Sequence, residues 1–126
     1  MIRVVVIDDF AAMRNALIEV VRAHPALELV GAGMNGEDAV HLADVRHPDV
    51  ILMDVSTDTC DGIEATRHVK RRHPEIAVIG MAAQPSEEAI FAMRSVGASD
   101  ILAKGIPTKQ LYSRILGMYE IRQAVS

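Results

Sequence analysis

Short β-rich runs alternate with longer segments of helical period along the whole chain, and this order restricts the fold more than any other feature. The predicted strands cover residues 3–7, 28–32, 50–53, 77–81 and 100–102. The predicted helices cover about residues 11–23, 36–46, 63–72, 86–96 and 107–119. Such alternation is typical of repeated βα units, so we predict an α/β fold around a mostly parallel sheet.

Three of the predicted helices end in the same way, with RAHP at 22–25, RHP at 46–48 and RRHP at 71–74. Proline disfavours helical backbone in the residue before it, and cations suit the negative end of a helix. We therefore interpret His24, His47 and His73 as parts of helix ends rather than as metal ligands. His41 and His68 lie within predicted helices without a paired ligand four residues further on, and we interpret them as surface residues.

The composition excludes several classes of protein. The chain has 126 residues, of which 50% are hydrophobic, and this is enough for one domain with a hydrophobic core. We therefore predict a single domain over residues 1–126. About residues 120–126 are predicted to be a C-terminal tail or the start of a linker. A net charge of -4 argues against direct nucleic-acid binding. No apolar run approaches the roughly 20 residues that span a bilayer, so we expect a soluble protein. Cys60 is the only cysteine, which fits the reducing cytoplasm.

Carboxylates follow two of the predicted strands. Asp8 and Asp9 come directly after the first strand, and Asp54 directly after the third. Because ligands of open parallel sheets bind at the carboxyl ends of the strands, these three side chains are expected to converge. Two carboxylates about 4 Å apart repel each other by about 4 kcal/mol at an effective dielectric constant of about 20, so a cation is required nearby.

Two cations could balance these carboxylates. Mg²⁺ prefers oxygen ligands, a few carboxylates and several waters, and Lys104, after the fifth predicted strand, adds a point charge able to hold a phosphate. A carboxylate in such a site can attack phosphorus and form an acyl phosphate. Asp54 stands alone at its strand end and is the better candidate nucleophile, whereas Asp8 and Asp9 suit metal coordination.

Four longer motifs are distributed along the chain: VVVIDD at 4–9, PDVILMD at 48–54, DGIEATR at 61–67 and GASDILAK at 97–104. Together they resemble the receiver domain of two-component response regulators. The stretch LELVGAGMNGEDAV at 27–40 resembles the subgroup that carries a helix-turn-helix output domain. The resemblance implies a flavodoxin-like, doubly wound sheet of five parallel strands in the order 2-1-3-4-5, with five helices.

The resemblance also implies roles for individual residues. Asp54 would accept a phosphoryl group from a sensor histidine kinase or phosphotransfer protein, and Lys104 would contact that group. The phosphoryl pocket would include Ser56, Ala82 and Ala83. Mg²⁺ would be held by Asp8, Asp9, Asp54 and the backbone carbonyl of Ser56. Such a domain is not an enzyme beyond its own phosphoryl transfer and dephosphorylation. It could form a homodimer through the fourth helix, fifth strand and fifth helix, and in a longer chain it could control a DNA-binding domain.

The chain departs from this family at several positions. Ala82 replaces the usual hydroxyl residue after the fourth strand, although Ala83 keeps the small residue that the family prefers. Ile101 replaces the usual aromatic residue of the fifth strand, and Gly105 replaces a common proline. Thr57 and Asp58 replace the usual Met and Pro after the acceptor. Phosphorylation is expected to survive these changes better than its transmission to the fourth helix.

Other functions remain open at this point. An interaction module that has kept the fold but switches weakly, or not at all, is suggested by Ala82, Ile101 and Asp58. A phosphatase with an aspartyl nucleophile would require a second acid two positions after Asp54, where this chain has Ser56. A flavin-binding protein would require a hydroxyl-rich loop after the first strand, where this chain has FAAMR.

Overall fold

Five strands and five helices alternate in the computed structural model, which describes residues 1–56 and 61–125. The strands are β1 Ile2–Ile7, β2 Leu27–Gly33, β3 Val50–Asp54, β4 Ala77–Ala82 and β5 Asp100–Ala103. The helices are α1 Ala11–Arg22, α2 Gly36–Arg46, α3 Asp61–Arg72, α4 Glu87–Ser95 and α5 Thr108–Val125. The predicted order of elements is confirmed, and most boundaries agree within two residues.

The strands form one parallel sheet in the order β2-β1-β3-β4-β5, as predicted. The chain enters at β1, moves to one edge at β2, and then crosses back to build β3, β4 and β5 on the other side. The strand order therefore reverses next to β1. In doubly wound sheets the binding crevice lies at this reversal, outside the carboxyl ends of the strands.

Helices cover both faces of the sheet, because alternate residues of each strand point to opposite sides. On one face Val4, Val6 and Leu52 pack with side chains of α1 and α5. On the other face Val5 and Ile51 pack with side chains of α2, α3 and α4. The central strands β1, β3 and β4 are consequently buried on both faces, which explains their nearly continuous apolar sequences.

The last helix is longer than predicted. It continues to Val125, six residues beyond the predicted end at Tyr119, so residues 120–125 are helical. The apolar spacing on which the prediction rested stops earlier, and Ile121 is 60% exposed. Within the described ranges, no helix combines the length and the apolar character needed to cross a membrane.

The histidines at the helix ends have structural contacts. His24 accepts a hydrogen bond from the Ala26 amide at 3.0 Å. His47 ends α2 in the left-handed region, with φ of 47°. His73 lies 2.8 Å from Asp44, which links the end of α3 to α2. Among the described residues, none of the five histidines belongs to a cluster of three or more metal-ligating side chains.

Asp44 joins α2 to α3 in a way that predicts a pH dependence. The hydrogen bond with His73 lowers the pKa of Asp44, and Arg72 at 3.1 Å lowers it further. A carboxylate with a lowered pKa in the folded state stabilises that state above its unfolded pKa and loses the effect as pH falls through the folded value. Asp44→Asn is therefore expected to be less stable than wild type at neutral pH, with a difference that closes as the pH falls through the lowered pKa of Asp44.

Urea unfolding between neutral and acidic pH tests this expectation. Glu19→Gln is a suitable control, because Glu19 is exposed on α1 and lies 4.0 Å from its partner Arg22. Such an exposed pair contributes little to stability. A wild-type advantage over Asp44→Asn that persists unchanged at low pH would contradict the role assigned to Asp44.

Candidate functional site

The predicted acidic residues and lysine meet at one edge of the sheet. Asp8 and Asp9 follow β1, Asp54 is the last residue of β3, and Lys104 follows β5. The Lys104 Nζ lies 2.7 Å from Asp54 Oδ1 and 2.9 Å from Asp8 Oδ2. The lysine thus bridges acidic side chains that follow two neighbouring strands, β1 and β3.

Asp8 is held in place by its own surroundings. Its side chain is fully buried, and its Oδ1 accepts a hydrogen bond from the Phe10 amide at 2.9 Å. Its backbone carbonyl accepts a hydrogen bond from Arg14 at 2.9 Å. A buried carboxylate is costly unless it is paired and hydrogen-bonded, and Asp8 meets both conditions. Its position is therefore set before any ligand arrives.

The pKa values of Asp54 and Lys104 are both shifted by the surroundings of the site. Burial raises the pKa of Asp54 and Asp8 raises it further, against the hydrogen bond from Lys104. Burial acts to lower the pKa of Lys104, but its hydrogen bonds with Asp54 and Asp8 prevail and raise it. Lys104 is consequently a cation at neutral pH. Additional positive charge beside Asp54 would further favour its ionised form, which is the nucleophilic one.

The same carboxylates fit a divalent cation. Asp8, Asp9 and Asp54 each offer an oxygen, and these oxygens lie within 4.8 Å of one another. Three carboxylates against one lysine leave an excess of negative charge that a hard ion would balance. Asp9 is exposed whereas Asp8 is buried, so the cluster is open to solvent on one side. Mg²⁺, which keeps several waters, suits such an open set of oxygen ligands.

A cavity of about 730 Å³ lies beside Asp54 and Lys104. Its walls include Ser56, Ala82 and Ala83, which the sequence predicted to surround a phosphoryl group. Ala82 is 2% exposed and brings no hydroxyl to this wall. The structure also places Gln84 and Ser86 on the cavity, two residues that the sequence analysis did not assign to the site.

A second, smaller cavity of about 220 Å³ lies on the other side of Asp9 and Asp54. Asn35 and Asp61 line it, and the sequence analysis did not place either in the site. Asp61 accepts a hydrogen bond from the Gly36 amide at 2.6 Å, which ties the start of α3 to the start of α2. In the sequence, the contact between Asp61 and Gly36 is indicated only by the acidic residue, Asp61, that opens the DGIEATR motif.

The position corresponding to the family's aromatic residue is filled by a buried aliphatic side chain. Ile101 is 8% exposed and packs in the same apolar cluster as Met93 of α4. An exposed aromatic that could move inward is therefore not present at this position. Thr57, Asp58 and Cys60 lie outside the described residues.

Gly62 allows α3 to approach the acidic site. A Cβ atom built at this position would lie 2.3 Å from the backbone oxygen of Asp54, which is much closer than real contacts permit. Gly62→Ala is therefore expected to lower the free energy of unfolding by about 1–3 kcal/mol, because backbone or helix must shift to relieve the overlap. Urea unfolding measures this loss.

Gly117→Ala is the matched control for Gly62→Ala. A Cβ atom at Gly117, inside α5, meets no atom within 4 Å. Alanine in an unhindered helix position gains about 0.5–1 kcal/mol over glycine, so the control is expected to be slightly stabilised. Equal effects of the two substitutions would show that close approach to Asp54 is not what requires Gly62.

Comparison with known proteins identifies one family. The sequence pattern of the response regulator receiver domain matches residues 4–116. The chain is 32% identical over 114 residues to the transcriptional regulatory protein DegU of Brevibacillus brevis, an alignment that covers 90% of this chain and 48% of that protein. It is 35% identical over 104 residues to a protein-glutamate methylesterase/protein-glutamine glutaminase of Photobacterium profundum, covering 82% of this chain and 26% of that protein.

A solved structure agrees with these matches. The response regulator domain of Thermotoga maritima CheB superposes with a TM-score of 0.85 at 30% identity, covering 95% of this chain and 97% of that domain. The chain spans half or less of the length of the two curated relatives described above. The names of these two relatives describe different activities, transcriptional regulation in one and methylesterase and glutaminase activity in the other.

Proposed function

Because the chain belongs to the response regulator receiver domain family, we propose that it accepts a phosphoryl group on Asp54 in a Mg²⁺-dependent reaction. One observation carries the proposal. Lys104 contacts both Asp54 and Asp8, at 2.7 and 2.9 Å, beside an open cluster of three carboxylates. This combination offers a nucleophile, an anchored cation and oxygen ligands at a single point.

In the proposed reaction an Asp54 carboxylate oxygen attacks the phosphorus of a donor. The new O–P bond forms as the donor's own bond to phosphorus breaks, and the leaving group departs with that electron pair. Lys104 then faces a phosphoryl oxygen and offsets part of its charge. Asp8, Asp9, Asp54 and the Ser56 carbonyl would hold Mg²⁺, which when bound neutralises charge on the transferring group.

The family suggests the partners. The donor would be a sensor histidine kinase or a histidine phosphotransfer protein in the cytoplasm. Since the matched relatives have different activities outside this domain, the output of a longer chain would be either DNA binding or an enzymatic domain.

A homodimer through α4, β5 and α5 is a further proposal, which is supported by the exposure of Phe91 on α4, at 74%.

Incubation of the purified chain with acetyl phosphate tests the central proposal. With Mg²⁺, intact-protein mass spectrometry is expected to show the addition of one phosphoryl group, and chelation of the metal with EDTA is expected to prevent it. Peptide mapping after borohydride reduction would locate the group. An unchanged mass in the presence of Mg²⁺ would contradict the proposal.

The alternative of an interaction module that does not respond to phosphorylation has no specific support in the structure or in the relatives. Ala82, Ile101 and Asp58 motivated it. Ala82 and Ile101 leave the nucleophile, the lysine and the acidic cluster intact, and Asp58 lies outside the described residues. The question it raises concerns the link to α4 rather than the chemistry at Asp54.

A further inference from the structure

Ser86 brings a hydroxyl to the cavity that contains Asp54 and Lys104. It lies four positions after Ala82 and is the N-cap of α4, where its Oγ accepts a hydrogen bond from the Ala89 amide at 3.1 Å. Ser86 is half-buried, and it lines the cavity. It therefore belongs both to the proposed phosphoryl site and to the first turn of α4.

Of the residues after β4 that line this cavity, Gln84 and Ser86 carry polar side chains, and Ser86 is the one that caps α4. Ala82 and Ala83 carry no polar side-chain atom, and Ala82 is almost fully buried. Ser56 also lines the cavity, but it stands two residues after Asp54 on the loop that follows β3. A contact with Ser56 would not reach α4 directly.

We propose that the Ser86 hydroxyl donates a hydrogen bond to the phosphoryl group on Asp54, and that this bond couples the phosphoryl group to α4 in place of the hydroxyl missing at Ala82. The inference rests on the proposed function, because it concerns the phosphorylated site. It makes Ser86 a phosphoryl-binding residue and α4 the element that responds.

The chemistry of a hydroxyl permits both roles at once. A serine hydroxyl has one proton to donate and two lone pairs that accept. The Ala89 amide uses one lone pair, and among the described residues the Ser86 proton has no protein acceptor. A phosphoryl oxygen is a strong acceptor, so the hydroxyl can donate to it while it continues to cap α4. Phosphorylation would then tighten the first turn of α4 without breaking its cap.

The hydroxyl, rather than the helix dipole, is the relevant group. Glu87 and Glu88 occupy the first turn of α4, and their charges oppose the attraction that a helix N-terminus has for an anion. A directed hydrogen bond from a neutral donor is less affected by these charges. The proposed hydrogen bond to the phosphoryl group therefore depends on one atom, Ser86 Oγ, which a single substitution removes.

Two substitutions of Ser86 separate phosphoryl binding from helix capping. Ser86→Thr keeps the hydroxyl. Ser86→Gly removes it but leaves a residue that caps helices nearly as well as serine. Ser95→Ala is the matched control, since the Ser95 hydroxyl lies at the other end of α4 and donates to the Phe91 carbonyl at 2.7 Å. Urea unfolding of each variant verifies that the fold is retained.

The probe is beryllium fluoride with Mg²⁺, a mimic of a phosphoryl group bound to an aspartate, titrated into the full chain and followed by amide NMR. We expect Ser86→Gly to bind the probe roughly tenfold more weakly, the size of one charge-assisted hydrogen bond. Ser86→Thr and Ser95→Ala are expected to bind as wild type. The Ala89 amide signal is expected to shift on binding in wild type and Ser86→Thr, and not in Ser86→Gly.

Each outcome is decisive. If wild type binds the probe, and Ser86→Gly binds it equally well with the same shift at Ala89, the inference about Ser86 is overturned while the proposed function stands. If wild type neither binds the probe nor takes up a phosphoryl group from acetyl phosphate, the proposed function fails and the inference fails with it. A selective loss in Ser86→Gly supports both.

Discussion

Asp54→Asn is expected to abolish phosphorylation of the chain by acetyl phosphate in the presence of Mg²⁺. The amide keeps the shape of the carboxylate but has no anionic oxygen to attack phosphorus. The Lys104 contact at 2.7 Å would also change, because an amide no longer pairs with the ammonium group as an ion. Intact-protein mass spectrometry measures the result, and the expected change is complete loss of the phosphorylated species.

Two further variants show whether the loss is specific. Asp49→Asn is a matched control at the opposite end of β3, where the Asp49 carboxylate accepts a hydrogen bond from the Arg3 amide at 2.8 Å, a role that asparagine can retain. It is expected to be labelled as wild type. Asp9→Asn keeps the nucleophile but removes one proposed metal ligand, so it is expected to require more Mg²⁺. Full labelling of Asp54→Asn would place the acceptor elsewhere.

Lys104→Met is expected to lower the free energy of unfolding by about 3 kcal/mol at neutral pH in EDTA, because it leaves two largely buried carboxylates without their cation. Asp8 is fully buried and the Asp54 side chain is 13% exposed, so water replaces little of the lost interaction. The value lies at the lower end of the range for broken buried ion pairs, because Lys104 is 20% exposed and Asp54 can take up a proton.

Urea unfolding with and without Mg²⁺ tests the origin of this loss. If repulsion between the carboxylates causes it, Mg²⁺ is expected to restore part of the stability of Lys104→Met, since a bound cation again balances Asp8 and Asp54. Lys109→Met, an exposed substitution on α5, is the matched control and should leave the stability nearly unchanged. Equal stabilities of wild type and Lys104→Met in EDTA would contradict the role of the lysine as an internal counter-ion.

Much of the fold could be predicted because its signals are local. Apolar runs bounded by Pro, Gly and polar residues mark the strands, and helical periodicity marks the segments between them. The boundaries were less accurate where contacts decide them. The start of α3 lies at Asp61 rather than at Ile63, because Asp61 bonds to the Gly36 amide. Such a contact between residues far apart in sequence leaves little local signal.

The candidate site was predictable in part for the same reason. Asp8, Asp9, Asp54 and Lys104 each follow an apolar run, and a parallel sheet brings the ends of such runs to one edge. The sequence analysis placed Ser86 only at the start of the fourth predicted helix, because its position beside the cavity depends on how α4 packs against the sheet. The roles of the site residues themselves stay predictions until the phosphorylation experiments are performed.

The amino-acid sequence alone determined the alternation of strands and helices and the placement of acids and a lysine at strand ends, since both follow from local hydrophobic patterns. Only the tertiary structure decided that Lys104 contacts both Asp8 and Asp54, and that Ser86 shares a cavity with Asp54 and Lys104. These contacts depend on the strand order and on the packing of α4, which bring together side chains separated by up to 96 positions along the chain.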